Sequence, residues 1–120
     1  MREIKFRVQN FKKQWVYFHL FGIKPIYSLD ETLGEFTGLC DKNGKEIYEG
    51  DLLKLTNRRL KECIGAHREI LLVGFNHGSF MCARGIDPYN MDTYLYLCSG
   101  ERVEIIGNIY ENPELLNEDK

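Results

Sequence analysis

The chain has 120 residues, 43% of them hydrophobic and 28% charged, with a formal net charge of −2. That length suits a single domain with a real hydrophobic core, and the charge balance excludes a globally basic nucleic-acid binder. The last ten residues hold four acids and one base, so the rest of the chain carries 15 bases against 14 acids and any charge selectivity must be local.

At the N-terminus, Met1-Arg-Glu-Ile-Lys-Phe-Arg7 alternates charged and apolar residues and has no apolar signal core. Ile4, Phe6 and Val8 against Glu3, Lys5 and Arg7 give the period-2 pattern of a half-buried strand. Asn10–Lys13 is a polar turn, answered by a second strand in Trp15-Val-Tyr-Phe-His-Leu20. This run is apolar on both faces, which predicts a strand that is either central or covered by another subunit. Residues 23–33 are irregular, with Pro25 breaking any long element. Asp41-Lys-Asn-Gly44 is a turn signal, because Asn-Gly tolerates positive φ. Gly50-Asp51 makes a second corner before Leu52-Leu-Lys-Leu55, with Leu53 and Leu55 facing inward.

Residues 56–66 read equally as a helical turn or a charged hairpin loop. Glu69–Phe75 and Phe80–Ala83 flank Asn76-His-Gly-Ser79 and predict a hairpin with Gly78 at its tip. Arg84–Met91 is a loop. Thr93–Cys98 is a strand with Tyr94 and Tyr96 on one side, and Ser99-Gly100 turns it into a last strand, Val103–Tyr110. Asn112-Pro113-Glu114 starts a short C-terminal helix: Asn caps, Pro suits the first position and Glu complements the dipole. Several short strands with closely spaced turn signals predict an all-β barrel or sandwich, a single domain over residues 1–116 with a frayed acidic tail at 117–120. The longest apolar stretches are too short to span a bilayer as a helix. Cys40, Cys63, Cys82 and Cys98 are irregularly spaced and read as reduced, mostly buried thiols, and the expected location is a cytoplasm.

Taken together, Met1–Arg7, Phe36-Thr-Gly-Leu39, Asp41-Lys-Asn-Gly-Lys-Glu-Ile-Tyr-Glu-Gly-Asp51 and Ile105-Ile-Gly-Asn-Ile-Tyr-Glu-Asn-Pro-Glu-Leu-Leu116 closely resemble the YopX-like family of bacteriophage and prophage proteins. The resemblance covers the first half and both ends; residues 57–92 carry none of its pattern. It implies an SH3-like, partly open small barrel with elaborating hairpins, a phage origin, action in the host cytoplasm and self-association. It brings no catalytic residues with it.

The residues themselves offer few chemical constellations. Cys63-Ile-Gly-Ala-His67 has a ligand-like spacing, but structural zinc sites present two close pairs and here there is one, so no metal or cofactor is expected. Pairings of the four cysteines with His19, His67 and His77 are too many for any one to carry weight as a nucleophile and base. Asp51 follows a glycine at a corner, where a carboxylate accepts backbone N–H bonds, and it reads as structural. The expected function is a non-enzymatic interaction module that self-associates or binds a host or phage protein, with Trp15, Tyr17, Tyr94 and Tyr96 as interface residues. The alternative is a nucleic-acid-binding accessory protein using Arg58, Arg59, Lys61 and Arg68, with Arg84 nearby and Phe80, Tyr94 and Tyr96 as stacking faces. Against it stand the acidic total, the interspersed Glu62 and Glu69, and the want of a recognition motif.

Overall fold

The computed structural model describes residues 4–19, 32–56, 70–76, 78–83, 91–94 and 102–115. Within them the chain is all-β: β1 (Lys5–Gln9), β2 (Trp15–His19), β3 (Gly34–Cys40), β4 (Glu46–Tyr48), β5 (Asp51–Leu55), β6 (Ile70–Asn76), β7 (Ser79–Ala83), β8 (Met91–Tyr94) and β9 (Val103–Asn108). They form a four-stranded sheet in the order β2-β1-β3-β4 and a five-stranded sheet in the order β8-β7-β6-β5-β9. Every pairing is antiparallel. The chain passes from one sheet to the other at the Glu49-Gly50 corner, between β4 and β5.

Two hairpins in the first sheet close with the same side-chain device. In the β1–β2 turn, Asn10 Oδ1 accepts the N–H groups of Lys12 and Gln14 at 2.9 and 3.0 Å. In the β3–β4 turn, Asp41 Oδ1 accepts those of Asn43 and Lys45, both at 2.9 Å. The position three residues on is left-handed in both, Lys13 at φ 61° and Gly44 at φ 80°. Of the Asn43-Gly44 pair, Gly44 alone takes the positive φ. The β6–β7 hairpin forms where expected, with Asn76 opposite Ser79 and Gly78 at the tip.

The main core joins the sheets: Ile47, Leu53, Leu55, Leu71, Val73, Cys82 and Val103 are buried together, with Leu39, Phe80 and Ile105 packed against them. Fully burying one such aliphatic side chain contributes about 1.5–3 kcal/mol. Leu53 and Leu55 do face inward, but Leu52 is equally buried on the opposite face, with Leu72, Ile70, Ile106, Ile109 and Leu115. The C-terminal turn thus lays a second apolar layer on the five-stranded sheet, which is why β5 reads as apolar at three of its five positions. Of the expected C-terminal helix the described residues hold one turn at Glu114 and Leu115, where Leu115 N donates to the Asn112 backbone O at 3.1 Å. The Asn112 side chain does not cap it but accepts the Asn108 N–H at 3.2 Å, and residues 116–120 lie outside the described ones.

Strand β2 is not central. It lies at one end of the four-stranded sheet with β1 as its described neighbour. Of the cysteines, Cys82 is buried and Cys40, at the end of β3, is exposed; neither forms a disulfide, and Cys63 and Cys98 lie outside the described residues. No helix among the described residues is long and apolar enough to cross a membrane.

Candidate interaction surface

Strand alternation puts Lys5, Arg7 and Gln9 on one face of β1, and register places Tyr17 opposite Arg7 and Trp15 opposite Gln9. This charged face is covered. Arg7 is buried, and its Nη2 donates to Asp51 Oδ1 at 2.7 Å. Its guanidinium lies over two rings, 4.5 Å from the centroid of Trp15 and 4.9 Å from that of Tyr48. A planar, weakly hydrated cation suits such a slot better than an ammonium does. Asp51 Oδ2 accepts the Tyr48 N–H at 2.8 Å. Burial pushes the Asp51 carboxyl above its ordinary value, against the pull of Arg7 and of the Tyr48 N–H.

Around this ion pair the aromatic rings form two groups, joined by the Arg7 guanidinium that lies over one ring of each. Tyr48 meets Tyr17 edge-on at 5.5 Å and Phe36 at 5.4 Å, and Trp15 meets Tyr110 at 6.2 Å. Lys5 lies over Phe36 and ion-pairs with Glu46, which also accepts the Tyr48 hydroxyl. Burial first, and then the nearby Glu46, push the Tyr48 hydroxyl well above the usual tyrosine range, so it stays a donor at any physiological pH.

The C-terminal turn closes the second group. Asn108 Oδ1 accepts the N–H groups of Tyr110 and Glu111, and Asn108 Nδ2 donates to Glu111 Oε1 at 2.9 Å. The same Glu111 oxygen accepts the Trp15 indole N–H. Those two hydrogen bonds hold the Glu111 carboxyl below its ordinary value. Tyr110 packs on Gly50, whose φ of +92° and lack of a side chain let the ring approach: a Cβ there would sit 2.8 Å from Tyr110 Cε2. All four segments that carry the family pattern therefore contribute described residues to one cluster around Arg7: Lys5 and Arg7 from the first, Phe36 from the second, Glu46, Tyr48, Gly50 and Asp51 from the third, and Asn108, Tyr110 and Glu111 from the last.

What this cluster presents outward is aromatic. Tyr17 is 57% exposed and Tyr110 37% exposed, with Trp15 half-buried between the hairpin and the C-terminal turn. Two of the expected interface residues, Trp15 and Tyr17, are thus brought together, and Tyr48 and Tyr110 join them. Trp15 is largely spent inside the fold, on Arg7, Tyr110 and Glu111, which leaves Tyr17 as the exposed ring. Tyr94 falls at the end of β8, its side chain outside the described ones, and Tyr96 lies outside altogether. The basic residues Arg58, Arg59, Lys61 and Arg68 also lie outside the described residues, as do Cys63 and His67. Among the described residues no three of His, Cys, Asp and Glu gather as a metal-ligand set.

The sequence pattern of a family described as YopX protein matches residues 3–117. Among solved structures, the chain is similar to protein EF1440 from Enterococcus faecalis, with 23% identity, a TM-score of 0.55 and coverage of 97% of this chain and 99% of that one, a likeness of fold. No curated protein matches the chain.

Proposed function

The chain belongs to the YopX family, and on that premise we propose that it is a non-enzymatic interaction module, acting in the cytoplasm of a phage- or prophage-bearing bacterium. It self-associates, or seats a protein partner, through the aromatic face of the β1–β2 hairpin. One observation carries this reading: Tyr17 stands 57% exposed on a group of rings already locked by buried contacts. An aromatic side chain held in one rotamer loses little entropy on docking, and such anchors dominate interface energies. The carboxylates that crowd the family segments favour a structural role over catalysis. Asp41 and Asp51 each spend both oxygens on donors of the fold, and Glu111 spends Oε1 on two.

The test is the mass in solution. Size-exclusion chromatography with light scattering should show mass rising toward a dimer with concentration, and Tyr17→Glu should return it to monomer while keeping a cooperative thermal melt. A strict monomer at every concentration up to the millimolar range overturns the self-association.

The second reading, nucleic-acid binding through the segment Arg58–Arg68, rests on the clustering of Arg58, Arg59, Lys61 and Arg68 in the sequence. A salt-titrated gel shift tests it: complexes that survive Arg58→Glu with Arg59→Glu unchanged remove that segment from the site.

A further inference from the structure

We propose that the tip of the β1–β2 hairpin, Phe11-Lys12-Lys13, is a single-stranded nucleic-acid contact in which Phe11 stacks on a base and the two lysines meet phosphates. The proposal does not rest on the Arg58–Arg68 segment. Its starting observation is a local charge excess in an acidic protein. Residues 4–19 contain four bases, Lys5, Arg7, Lys12 and Lys13, and neither Asp nor Glu.

The fold divides those four cations into two pairs. Lys5 and Arg7 are neutralised by Glu46 and Asp51. Lys12 and Lys13 stand exposed at the tip, with no ion pair among the described residues. Between them and the strand stands Phe11, 92% exposed, the most exposed large apolar side chain of the described residues. The Lys12 ammonium lies 5.8 Å from the Phe11 ring centroid. Water gains nothing from a bare phenyl ring, and the core has no use for one that far out; a ring flanked by two cations matches an anionic ligand that also offers a flat face.

Nucleic acid satisfies both requirements in one repeating unit, because every nucleotide joins a π-face to a phosphate. The tip is also built to hold its shape. Asn10 Oδ1 binds two backbone N–H groups of the turn, Asn10 N donates to Gln14 O at 3.0 Å, and Lys13 N donates to Asn10 O at 2.9 Å. A contact made by so small a tip cannot afford much ordering on binding. Single strands are favoured over duplex because stacking needs an unpaired base. An anionic membrane is disfavoured because one ring gives too little apolar area to hold a protein at a bilayer, where even a single acyl chain is marginal.

The test is fluorescence anisotropy with labelled dT12 and U12, in a salt series, on the full chain. Each phosphate contact on a single strand adds about 0.7 to the slope of log affinity against log salt. Lys12→Gln with Lys13→Gln should therefore lower the magnitude of that slope by about 1.4. Phe11→Ala should weaken binding about tenfold, with the slope unchanged, as expected for loss of one stacked base. Arg58→Glu with Arg59→Glu should leave the Phe11 effect in place. The substituted side chains are exposed, and an unaltered thermal melt verifies that the fold persists. The proposal fails if neither oligonucleotide binds, or if Phe11→Ala binds as the parent does. It also fails if duplex binds as tightly as single strand, or if vesicles containing phosphatidylserine bind in a Phe11-dependent way while oligonucleotides do not. Loss of dimer mass in Tyr17→Glu with binding to dT12 retained separates this contact from the self-association face.

Discussion

Arg7 and Asp51 are 44 residues apart in the chain, yet Nη2 of the arginine lies 2.7 Å from Oδ1 of the aspartate, with both side chains buried. The pair ties the first strand of one sheet to the first strand of the other. It lies under the rings of Trp15 and Tyr48, so the same contact joins the sheets and stiffens the aromatic face above them. Arg7 Nε is buried without a hydrogen-bond partner among the described residues. The site therefore leaves one donor unsatisfied, and a buried pair of this kind contributes less net stability than its geometry suggests.

Removing one partner is expected to be far worse than removing both. Arg7→Ala strands the Asp51 carboxylate, which is 2% exposed, and should cost about 3–5 kcal/mol. Arg7→Met with Asp51→Asn keeps an acceptor for the Tyr48 N–H and should cost no more than about 2 kcal/mol. Urea titration gives both values. The chain has one tryptophan, Trp15, so its emission also reports loss of the guanidinium stack in each variant. A double variant as unstable as Arg7→Ala would show that the charge itself is needed.

Gly50→Ala combines two penalties, a left-handed residue and a clash with Tyr110 Cε2 at 2.8 Å. The first costs about 1–2 kcal/mol and the second about 1–3 kcal/mol. Adding Tyr110→Ala should relieve the clash and leave the backbone term, so the two substitutions will be less than additive in chemical denaturation. Strict additivity would mean that Tyr110 does not pack on Gly50 in solution.

How much of this was legible in the sequence can be judged residue by residue. The period-2 pattern of β1 identifies the strand, but it assigns Arg7 to solvent, and the structure buries it. Alternation sees one strand at a time, whereas the burial of Arg7 is decided by Asp51, 44 residues away. The turns at Asn10 and Asp41 were readable because an Asx side chain closes each within five residues, and the Asn76–Ser79 hairpin because a glycine, Gly78, takes its tip. Leu52 was missed as a core residue for the opposite reason. Its cover comes from Ile106, Ile109 and Leu115, and nothing local in β5 announces a second apolar layer. Trp15 and Tyr17 were singled out for their hydrophobicity; that Glu111 would hold the indole N–H could not be read from spacing.

Lys13 occupies at φ 61° the position that Gly44 fills in the matching turn. A non-glycine residue there bears about 1–2 kcal/mol of strain, and glycine returns about 0.5–1 kcal/mol of that as unfolded-chain entropy. Lys13→Gly is therefore expected to stabilise by up to about 1 kcal/mol, read as a higher urea midpoint with unchanged m-value. Gly44→Ala, the reverse exchange in the other hairpin, should destabilise by about the same amount. If Lys13→Gly lowers the midpoint, the turn in solution is not left-handed at that residue.

Asp41 links its turn to the five-stranded sheet, because its Oδ2 accepts the Ile105 N–H at 3.0 Å while Oδ1 holds Asn43 and Lys45. Burial pushes its carboxyl up, but the three N–H donors together outweigh that and hold it below the ordinary 3.8. A carboxyl depressed in the folded state binds its proton first in the unfolded chain, so it stabilises the fold fully above about pH 4 and progressively less as pH falls through its folded value. Asn at position 41 can accept the two turn N–H bonds through its one oxygen, but its amide cannot accept from Ile105. Asp41→Asn should then cost about 1.5–3 kcal/mol at pH 7, the scale of one hydrogen bond to a charged group. The gap between parent and variant should narrow as the pH is taken from 5 toward 2 in a series of urea titrations, since protonation removes from the parent what the substitution has already removed. A gap that stays constant over that range would mean that the carboxylate's charge contributes nothing and that only the shape of the turn matters.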